Sequence, residues 1–552
     1  MLKNINKSNN GITLVALVVT IIILLILATI SIQSLTNTGL FAKAKEARDK
    51  TANAAENQAK ILNEYEDELN KYISGNTKKL QADGSWNVTK KVNSPQLMEG
   101  MTGIYWDKDG NEIEVTANNQ DSWYDYNKQE WANAVTKDSN GNVTGYWVWI
   151  PRYAYKIESG RYTSTAGKIS VKFLQGTSNK DKDNNEISQN YPETTGETMS
   201  DYVVHPSFTD GSENGKNNHY MNGEWDKEIS GYWVAKYAAG FQECTQTVSS
   251  NGTVTEPTIN LANVKYSDKN YTSYNSSCTT NALSQNLSSN GYSSQRISYP
   301  VFKPLTYAYN VISTGDIYTI SKEIASASSF YGLNSSKTDS HQIKNSEWGA
   351  VVYLTQSSKG RDGTEVMQNA KNLNNTSKVI YGVTGYAGTI ANVVTASSTN
   401  NKSGVFDLSG CVWERTAAYI SNGNSNLSSY GSSYVNSTAN LNGYNTNGYS
   451  TKYVTVYPYD NSGSNTNNYS TYSGKKSVTY GFGDAVLETS TSGSGTTSWI
   501  SDFSVFSNIM EPFIVRGGRC RDNSNSSGIF AFYADSGATW LTNGFRSVLV
   551  TQ

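Results

Sequence analysis

The chain has 552 residues and a formal net charge of -2 at pH 7, a length that predicts an anchor plus one large or two moderate globular units. Charged residues make up 17% of it, while Tyr (38) and Gly (45) far outnumber Phe (14) and Pro (9), which predicts a surface of Asn, Ser, Thr, Gly and Tyr. The near-neutral charge without a basic cluster excludes nucleic acid as the expected partner, because phosphate binding needs clustered Lys and Arg.

The N-terminal region contains an uncharged apolar run, Ile12–Ile32. As a helix it would be about 31 Å long, enough to span a hydrocarbon core. Lys3 and Lys7 precede it and no charge follows until Lys43, so the positive-inside rule predicts a single-pass membrane protein whose N-terminus is cytoplasmic and whose bulk is extracellular. A cleaved secretory signal is disfavoured by the length of the run, whereas a plain signal anchor stays an alternative.

The leader, residues 1–11, ends in Gly11 and is followed by Ile12–Val15 and the predicted transmembrane helix, 12–34. This arrangement resembles the type IV prepilins and pseudopilins. The resemblance implies cleavage between Gly11 and Ile12 by a prepilin peptidase, methylation of the new N-terminus, and other pilin-like subunits as partners. Ala16 departs from the family, which has Glu at this fifth mature position for assembly, so entry into a filament is in doubt.

The predicted stalk helix covers residues 35–75, where apolar residues recur at steps of three and four. It would serve as a pilin helix packed on its head or neighbours, or as a spacer, and the pattern does not separate these. Residues 76–144 are predicted to be a small β-rich linker region. The remaining 145–552 are predicted to be one domain with polar inserts at about 244–298 and 421–498, which we expect to be long surface excursions.

Within these regions, aromatic and β-branched runs alternate with turn signals. The runs Gly145–Pro151 and Gly231–Tyr237 predict strands, and the best helix candidates are near Lys128–Val135, Ala308–Ile312 and Glu347–Leu354. The segment Asp107–Glu112 has its Gly too early for an EF-hand and predicts a hairpin turn. The three histidines, His205, His219 and His341, lack metal-ligand spacing and are expected to be ordinary surface or core residues. The tryptophans of the strand-like runs are expected in the core.

Four motifs follow in order: Glu347–Ala350 (EWGA), Asp407–Glu414 (DLSGCVWE), Val515–Gly518 (VRGG) and Asn543–Arg546 (NGFR). They resemble the signatures of the formylglycine-generating enzyme, or sulfatase-modifying factor, family, which has a C-type-lectin-like fold. The expected fold class is therefore α+β: a long N-terminal transmembrane and stalk helix, then a loop-rich, mainly antiparallel β head of that family's type.

The family's copper-binding cysteine pair lies between the last two motifs, where this chain has Gly528–Ser536 without cysteine. The resemblance therefore implies that the chain is not an enzyme. In that fold the turn that holds Cys411 and the strand before Cys520 are neighbours, so the resemblance implies a Cys411–Cys520 disulfide. Cys244 and Cys278 would then pair with each other. Free thiols are the alternative. Glu414 matches a structural calcium ligand of the family, and no cofactor other than this calcium is expected.

The segment Cys520–Asn543 is rich in Asn, Ser, Asp, Tyr and Gly, residue types that form adaptable binding surfaces. It also resembles the variable region of target proteins of diversity-generating retroelements. A polar surface protein would have such residues everywhere, and that alternative stays open. The candidate binding residues are Arg521, Asn523, Asn525, Tyr533, Asp535, Thr539, Trp540 and Thr542, which we expect to be exposed.

Three functions follow from these features. The first is a membrane-anchored, extracellular adhesion or ligand-binding protein with an unidentified protein or glycan ligand. The second is a minor pilin or pseudopilin of a type IV pilus or secretion filament. The third, an enzyme of the formylglycine-generating type, is disfavoured by the missing cysteine pair.

Overall fold

The structure is a computed structural model that describes residues 18–23, 94–189, 198–211, 223–245, 247–248, 254–255, 299–310, 312–371, 382–391, 393–439, 451–458, 482–522, 526–540 and 542–552. The chain divides into two compact units, Met1–Lys79 and Leu80–Gln552. Of the first unit, only the helical residues 18–23 are described. The second unit contains all the other described residues.

This unit is built mainly from β-strands. In chain order they are β1 (Met101–Trp106), β2 (Glu112–Glu114), β3 (Asn133–Lys137), β4 (Val143–Pro151), β5 (Tyr153–Ile157), β6 (Ile169–Phe173), β7 (Val203–Val204), β8 (Gly231–Ala235), β9 (Gly240–Thr245), β10 (Thr247–Val248), β11 (Val254–Thr255), β12 (Thr306–Ala308), β13 (Thr338–Gln342), β14 (Tyr386–Ala387), β15 (Ile390–Ala391), β16 (Trp413–Ser421), β17 (Thr455–Pro458), β18 (Phe513–Arg516), β19 (Phe532–Asp535), β20 (Asn543–Gly544) and β21 (Ser547–Thr551).

The α-helices of the unit are short. They are α1 (Thr314–Glu323), α2 (Ser328–Tyr331), α3 (Asn345–Gln356) and α4 (Ser425–Ala439). Helix α3 is buried along its whole length, and the Glu347 carboxylate caps it by accepting the Lys344 N–H at 2.9 Å. Helix α1 begins after Ser313, whose hydroxyl accepts the Asp316 N–H at 3.2 Å.

The largest sheet has seven antiparallel strands in the order β13-β21-β8-β4-β3-β1-β2. Its central strands β4 and β8 are nearly continuous runs of Trp, Tyr, Val and Ile, because both of their faces are covered. Trp147, Trp149, Trp233 and Trp348 are buried in the main core, and the indoles of Trp149 and Trp233 lie 5.3 Å apart. The core role predicted for these four tryptophans is confirmed, whereas Trp413, for which the same role was predicted, lies in a smaller cluster.

The second sheet positions the candidate site. Its order is β17-β16-β18-β19, with β20 also beside β16; β17 and β20 are parallel to β16, and the other pairs are antiparallel. The remaining strands form a three-stranded sheet, β6-β5-β7, and three two-stranded sheets. Strand β16 therefore joins the C-terminal segment to residues more than one hundred positions earlier.

Three turns of the unit use the same aspartate chemistry. In the turns that start at Asp107, Asp138 and Asp181, the carboxylate accepts the backbone N–H groups two and four residues later and the side-chain amide of an Asn. This carboxylate satisfies backbone donors that the tight turn leaves unpaired. The hairpin turn predicted for Asp107–Glu112 is confirmed between β1 and β2.

The predicted fold class, α+β with a long N-terminal transmembrane and stalk helix, is wrong. The described residues are mostly sheet with a few short helices, and none of these helices has the length and apolar character to span a bilayer. The helical part of the class rests on the apolar run and on the stalk periodicity, whereas the Tyr-, Trp- and Val-rich runs that form strands set the balance. Most of the segments predicted as leader, transmembrane helix and stalk lie outside the described residues.

Two of the three helix predictions are also wrong, while the third and both strand predictions are confirmed. Lys128–Val135 runs into strand β3, which is held between β1 and β4, and Ala308–Ile312 ends β12 rather than forming a helix. Pairing with distant strands overrides local helix preference at both places. Glu347–Leu354 lies within α3 as predicted, and the strands predicted at 145–151 and 231–237 are β4 and β8.

The polar insert predicted at 421–498 is only partly a surface excursion. Strand β17 pairs with β16, and α4 buries Leu427 and Val435 in a cluster with Val454 and Tyr419. A few apolar residues thus anchor a segment whose average composition is polar. Most of the other predicted insert, 244–298, lies outside the described residues.

The predicted linker region, 76–144, contains strands β1 to β3. These strands belong to the same sheet as β4.

Candidate functional site

A cavity of about 390 Å³ opens on one face of the second sheet. Val515 of β18 pairs with Tyr533 of β19 on one side and with Arg415 of β16 on the other, and Trp413 belongs to the same apolar cluster as Val515 and Tyr533. The volume lies in the range of about 300–1,000 Å³ that is usual for small-molecule sites. We call this cavity the C-terminal pocket; its lining is Trp413, Phe503, Glu511, Val515, Arg519, Asp522, Ser526, Tyr533, Ala534, Asp535, Trp540, Thr542 and Asn543.

Aromatic rings form much of the pocket wall. The Tyr533 ring is stacked on Phe503 at 5.6 Å and lies 5.8 Å from Trp413, to which it is tilted by 35°. Trp540 is 52% exposed, and its indole N–H donates to the Ser536 hydroxyl at 3.3 Å. These rings offer a ligand a large apolar contact area with little conformational freedom to lose.

The base of the pocket is a closed polar network around Asp535. Its carboxylate accepts from Arg415 Nε at 2.8 Å, Asn543 Nδ2 at 2.8 Å and the Gly537 N–H at 2.9 Å. Asn543 in turn accepts the Thr542 hydroxyl at 2.9 Å. Asp535 was expected to be exposed but is buried, because it neutralises a buried guanidinium that the β16 register brings beneath it.

The rim carries three charged groups. Arg519 Nε donates to Asp522 at 2.7 Å, which neutralises both side chains. Glu511 also lines the pocket. Burial of Tyr533 raises the pKa of its hydroxyl, the Glu511 charge raises it further, and Arg519 opposes this rise. The Tyr533 hydroxyl has no hydrogen-bond partner among the residues that the structure describes.

The predicted binding residues divide into three groups. Tyr533, Asp535, Trp540 and Thr542 line the pocket; Arg521 is exposed and Thr539 half-buried outside its lining; Asn523 and Asn525 lie outside the described residues. The prediction missed Trp413, Phe503, Glu511, Arg519 and Asp522. The first of these belongs to a recognised motif, and Arg519 and Asp522 flank Cys520, so they were within reach; nothing local distinguishes Phe503 or Glu511.

The two described cysteine side chains lie at neighbouring backbone positions, because the Cys520 N–H donates to the Cys411 carbonyl at 3.1 Å. Both are buried and both are free thiols in the structure, so the disulfide expected between them is not formed there. Burial raises the pKa of Cys520 to about 12 and raises that of Cys411 well above its usual value, which keeps both protonated at neutral pH. The Cys244 side chain and the whole of Cys278 lie outside the described part of the chain.

Glu414 is fully buried and its carboxylate binds Arg546, with Arg546 Nε at 2.6 Å from Oε2 and Nη2 at 2.5 Å from Oε1. This bidentate pair joins two of the four sequence motifs. Across the described ranges, no group of three or more His, Cys, Asp and Glu side chains could hold a metal ion. Calcium at Glu414 stays a prediction.

Two of the predicted histidines are buried, and the other predicted residues lie outside the described part of the chain. His205 is buried between the Ser207 hydroxyl (3.0 Å) and the Gly483 carbonyl (2.9 Å), and burial lowers its pKa to about 3. His341 is buried against Glu347 at 3.0 Å. His219, Gly11 and Ile12 lie outside the described residues. No protein-family model and no curated protein matches the chain.

Proposed function

We propose that the chain is a ligand-binding protein of the adhesion type and that the C-terminal pocket is its binding site. The observation that carries the proposal is that residues from separate parts of the sequence meet around one cavity. Four residues predicted from Cys520–Asn543 meet Trp413, Phe503 and Glu511, which come from separate stretches of sequence, around one open cavity. An aromatic pocket with a few charged groups is the default form of a ligand site.

The composition of the wall supports binding. Trp, Tyr and Arg dominate the energetics of protein recognition sites, and the pocket has two Trp, one Tyr and one Arg in its lining. Trp540 keeps about half of its surface in solvent, where a ligand in the pocket can contact it.

The other predicted features stay predictions. Export of the chain, processing between Gly11 and Ile12, methylation and association with pilin-like subunits all concern residues outside the described ranges. Retroelement diversification of the C-terminal segment and the filament-subunit and enzyme alternatives also stay predictions of the sequence.

The proposal predicts that binding depends on the pocket. The full chain would be tested on arrays of oligosaccharides and of 15-residue peptides, with Trp540→Ala to remove a wall and Ser526→Trp to fill the cavity. Both changes alter the contact surface. Each should therefore weaken binding, at least tenfold, to the array ligands that the unmodified chain binds. Met367→Ala is the matched control, since Met367 is 50% exposed and lies outside the pocket lining. Undiminished binding by both pocket variants would place the ligand elsewhere and overturn the proposal.

A further inference from the structure

We infer that the ligand of the C-terminal pocket carries an organic cation, an ammonium or guanidinium group on an apolar frame. This inference rests on the proposed function, because it names the ligand class of the same site. It is carried by the charge that the pocket leaves uncompensated, the rigidity of the loop that presents this charge, and the rings beside it.

The charge of the pocket is negative. Three carboxylates line it, and two have fixed partners: Asp535 binds Arg415, and Asp522 binds Arg519. Among the described residues, no Lys or Arg forms an ion pair with Glu511. One negative charge therefore faces the cavity, and a cationic ligand would neutralise it.

The Glu511 carboxylate is held in place before any ligand arrives. The Asn508 side chain accepts the N–H groups of Met510 (2.9 Å) and Glu511 (3.0 Å) and donates to Glu511 Oε2 at 3.1 Å. Within the described ranges nothing donates to Oε1. A carboxylate that is oriented by one oxygen and open at the other is preorganised to accept a charged donor.

The Asn508–Glu511 loop is held by hydrogen bonds from a separate segment of the chain. Its backbone carbonyls accept hydrogen bonds of 2.7–3.3 Å from three side-chain amides, those of Asn422, Asn424 and Asn426. These hydrogen bonds hold the loop so that the Glu511 carboxylate is already in position at the pocket.

The aromatic wall is suited to the same ligand. Glu511 and the three rings of the wall line the same cavity, so the carboxylate and the row of rings face the same space. Aromatic faces attract ammonium and guanidinium groups, most strongly where water is excluded. An anion would meet the uncompensated Glu511. A neutral sugar would find Asp522, Asp535 and Asn543 already hydrogen-bonded to protein partners.

The test uses matched cationic and neutral probes on the full chain. Choline is compared with 3,3-dimethylbutan-1-ol, and N-acetyl-lysine methylamide with N-acetyl-norleucine methylamide, by saturation-transfer NMR and tryptophan fluorescence. Each cation should bind at least tenfold more tightly than its neutral counterpart, and Glu511→Gln should abolish this preference. Glu130→Gln is the control, because Glu130 is exposed and outside the pocket lining. The choline and lysine arms distinguish a free alkylammonium group from a protein side chain.

Three outcomes would overturn the inference. Equal binding of charged and neutral probes, lost in Trp540→Ala, would show a pocket without cation preference and would leave the proposed binding function standing. A preference that survives Glu511→Gln would show that the Glu511 charge is not its source, which removes the argument for the cation. Absence of binding by all four probes would reject the cation directly. The array experiment then decides separately whether the pocket binds a ligand.

Discussion

Asp484 is a buried carboxyl group at the centre of a polar network that links strands β17 and β18 of the second sheet. It accepts the Tyr457 hydroxyl at 2.7 Å and the Val486 N–H at 2.9 Å, while its backbone carbonyl accepts from Arg516 Nη1 at 2.8 Å. Burial, the largest cause, raises the pKa of Asp484 from 3.8 to about 7. The same burial lowers the pKa of Arg516 to about 10.

This shift makes stability depend on pH. Between pH 3.8 and about 7 the folded chain keeps a proton on Asp484 that the unfolded chain has lost, so the free energy of unfolding falls as pH rises through that window. We predict that Asp484→Asn removes up to about 1.4 kcal/mol per pH unit of this dependence. Urea unfolding at pH 4, 5.5 and 7 measures it, with the exposed Asp183→Asn as control. An unchanged slope in Asp484→Asn would contradict the assignment.

At the scale of elements, helix α3 packs so closely on the chain that one of its glycines has no room for a side chain. A Cβ on Gly349 would lie 1.8 Å from the Gly483 carbonyl oxygen and 2.7 Å from Asp484 backbone atoms. The nearest atoms all belong to the backbone of Gly483 and Asp484, so no flexible side chain can move aside. Gly349 therefore sets the distance between α3 and the Asp484 network.

We predict that Gly349→Ala destabilises the protein by about 1–3 kcal/mol, the usual cost of overpacking. Helix propensity alone predicts the opposite sign, since Ala is better than Gly in a helix by about 1 kcal/mol. Ser429→Ala on the exposed side of α4 has no such contact and should be neutral or slightly stabilising. Urea denaturation of both variants compares the two effects, and a stabilised Gly349→Ala would refute the packing argument.

At the scale of the whole molecule, the C-terminal strand closes the seven-stranded sheet. Strand β21 lies between β13 and β8, and Val548 and Leu549 pair with both neighbours. Arg546, immediately before it, binds the buried Glu414. The last residues therefore connect the two sheets of the compact unit.

We predict that deleting residues 547–552 prevents folding of this unit, because it leaves two strand edges unpaired and exposes Val548, Leu549 and Val550. Deleting Gln552 alone removes one backbone hydrogen bond, from its N–H to Lys337, and should leave the fold intact. Circular dichroism and limited proteolysis of the two deletions give the comparison. A folded 1–546 chain would show that β21 is dispensable.

Some of the fold and of the site was predictable because the signal is local. The runs that became β4 and β8, helix α3, the Asp107 turn and the buried tryptophans all follow from patterns within a few residues. Four pocket residues were found in the same way, from the composition of Cys520–Asn543. Where the helix predictions failed, strand β3 and the end of β12 took their conformation from distant partners.

The sequence by itself determined strands β4 and β8, helix α3, the burial of the tryptophans in these segments and the C-terminal stretch that contributes to the pocket. Only the tertiary structure decided that Glu511 and Phe503 face this stretch, that Asp535 is buried on Arg415, and that Glu414 binds Arg546. These pairs depend on strand order and register across the two sheets. Periodicity within a segment fixes which face a side chain takes, but it carries no information about which distant strand will lie beside it.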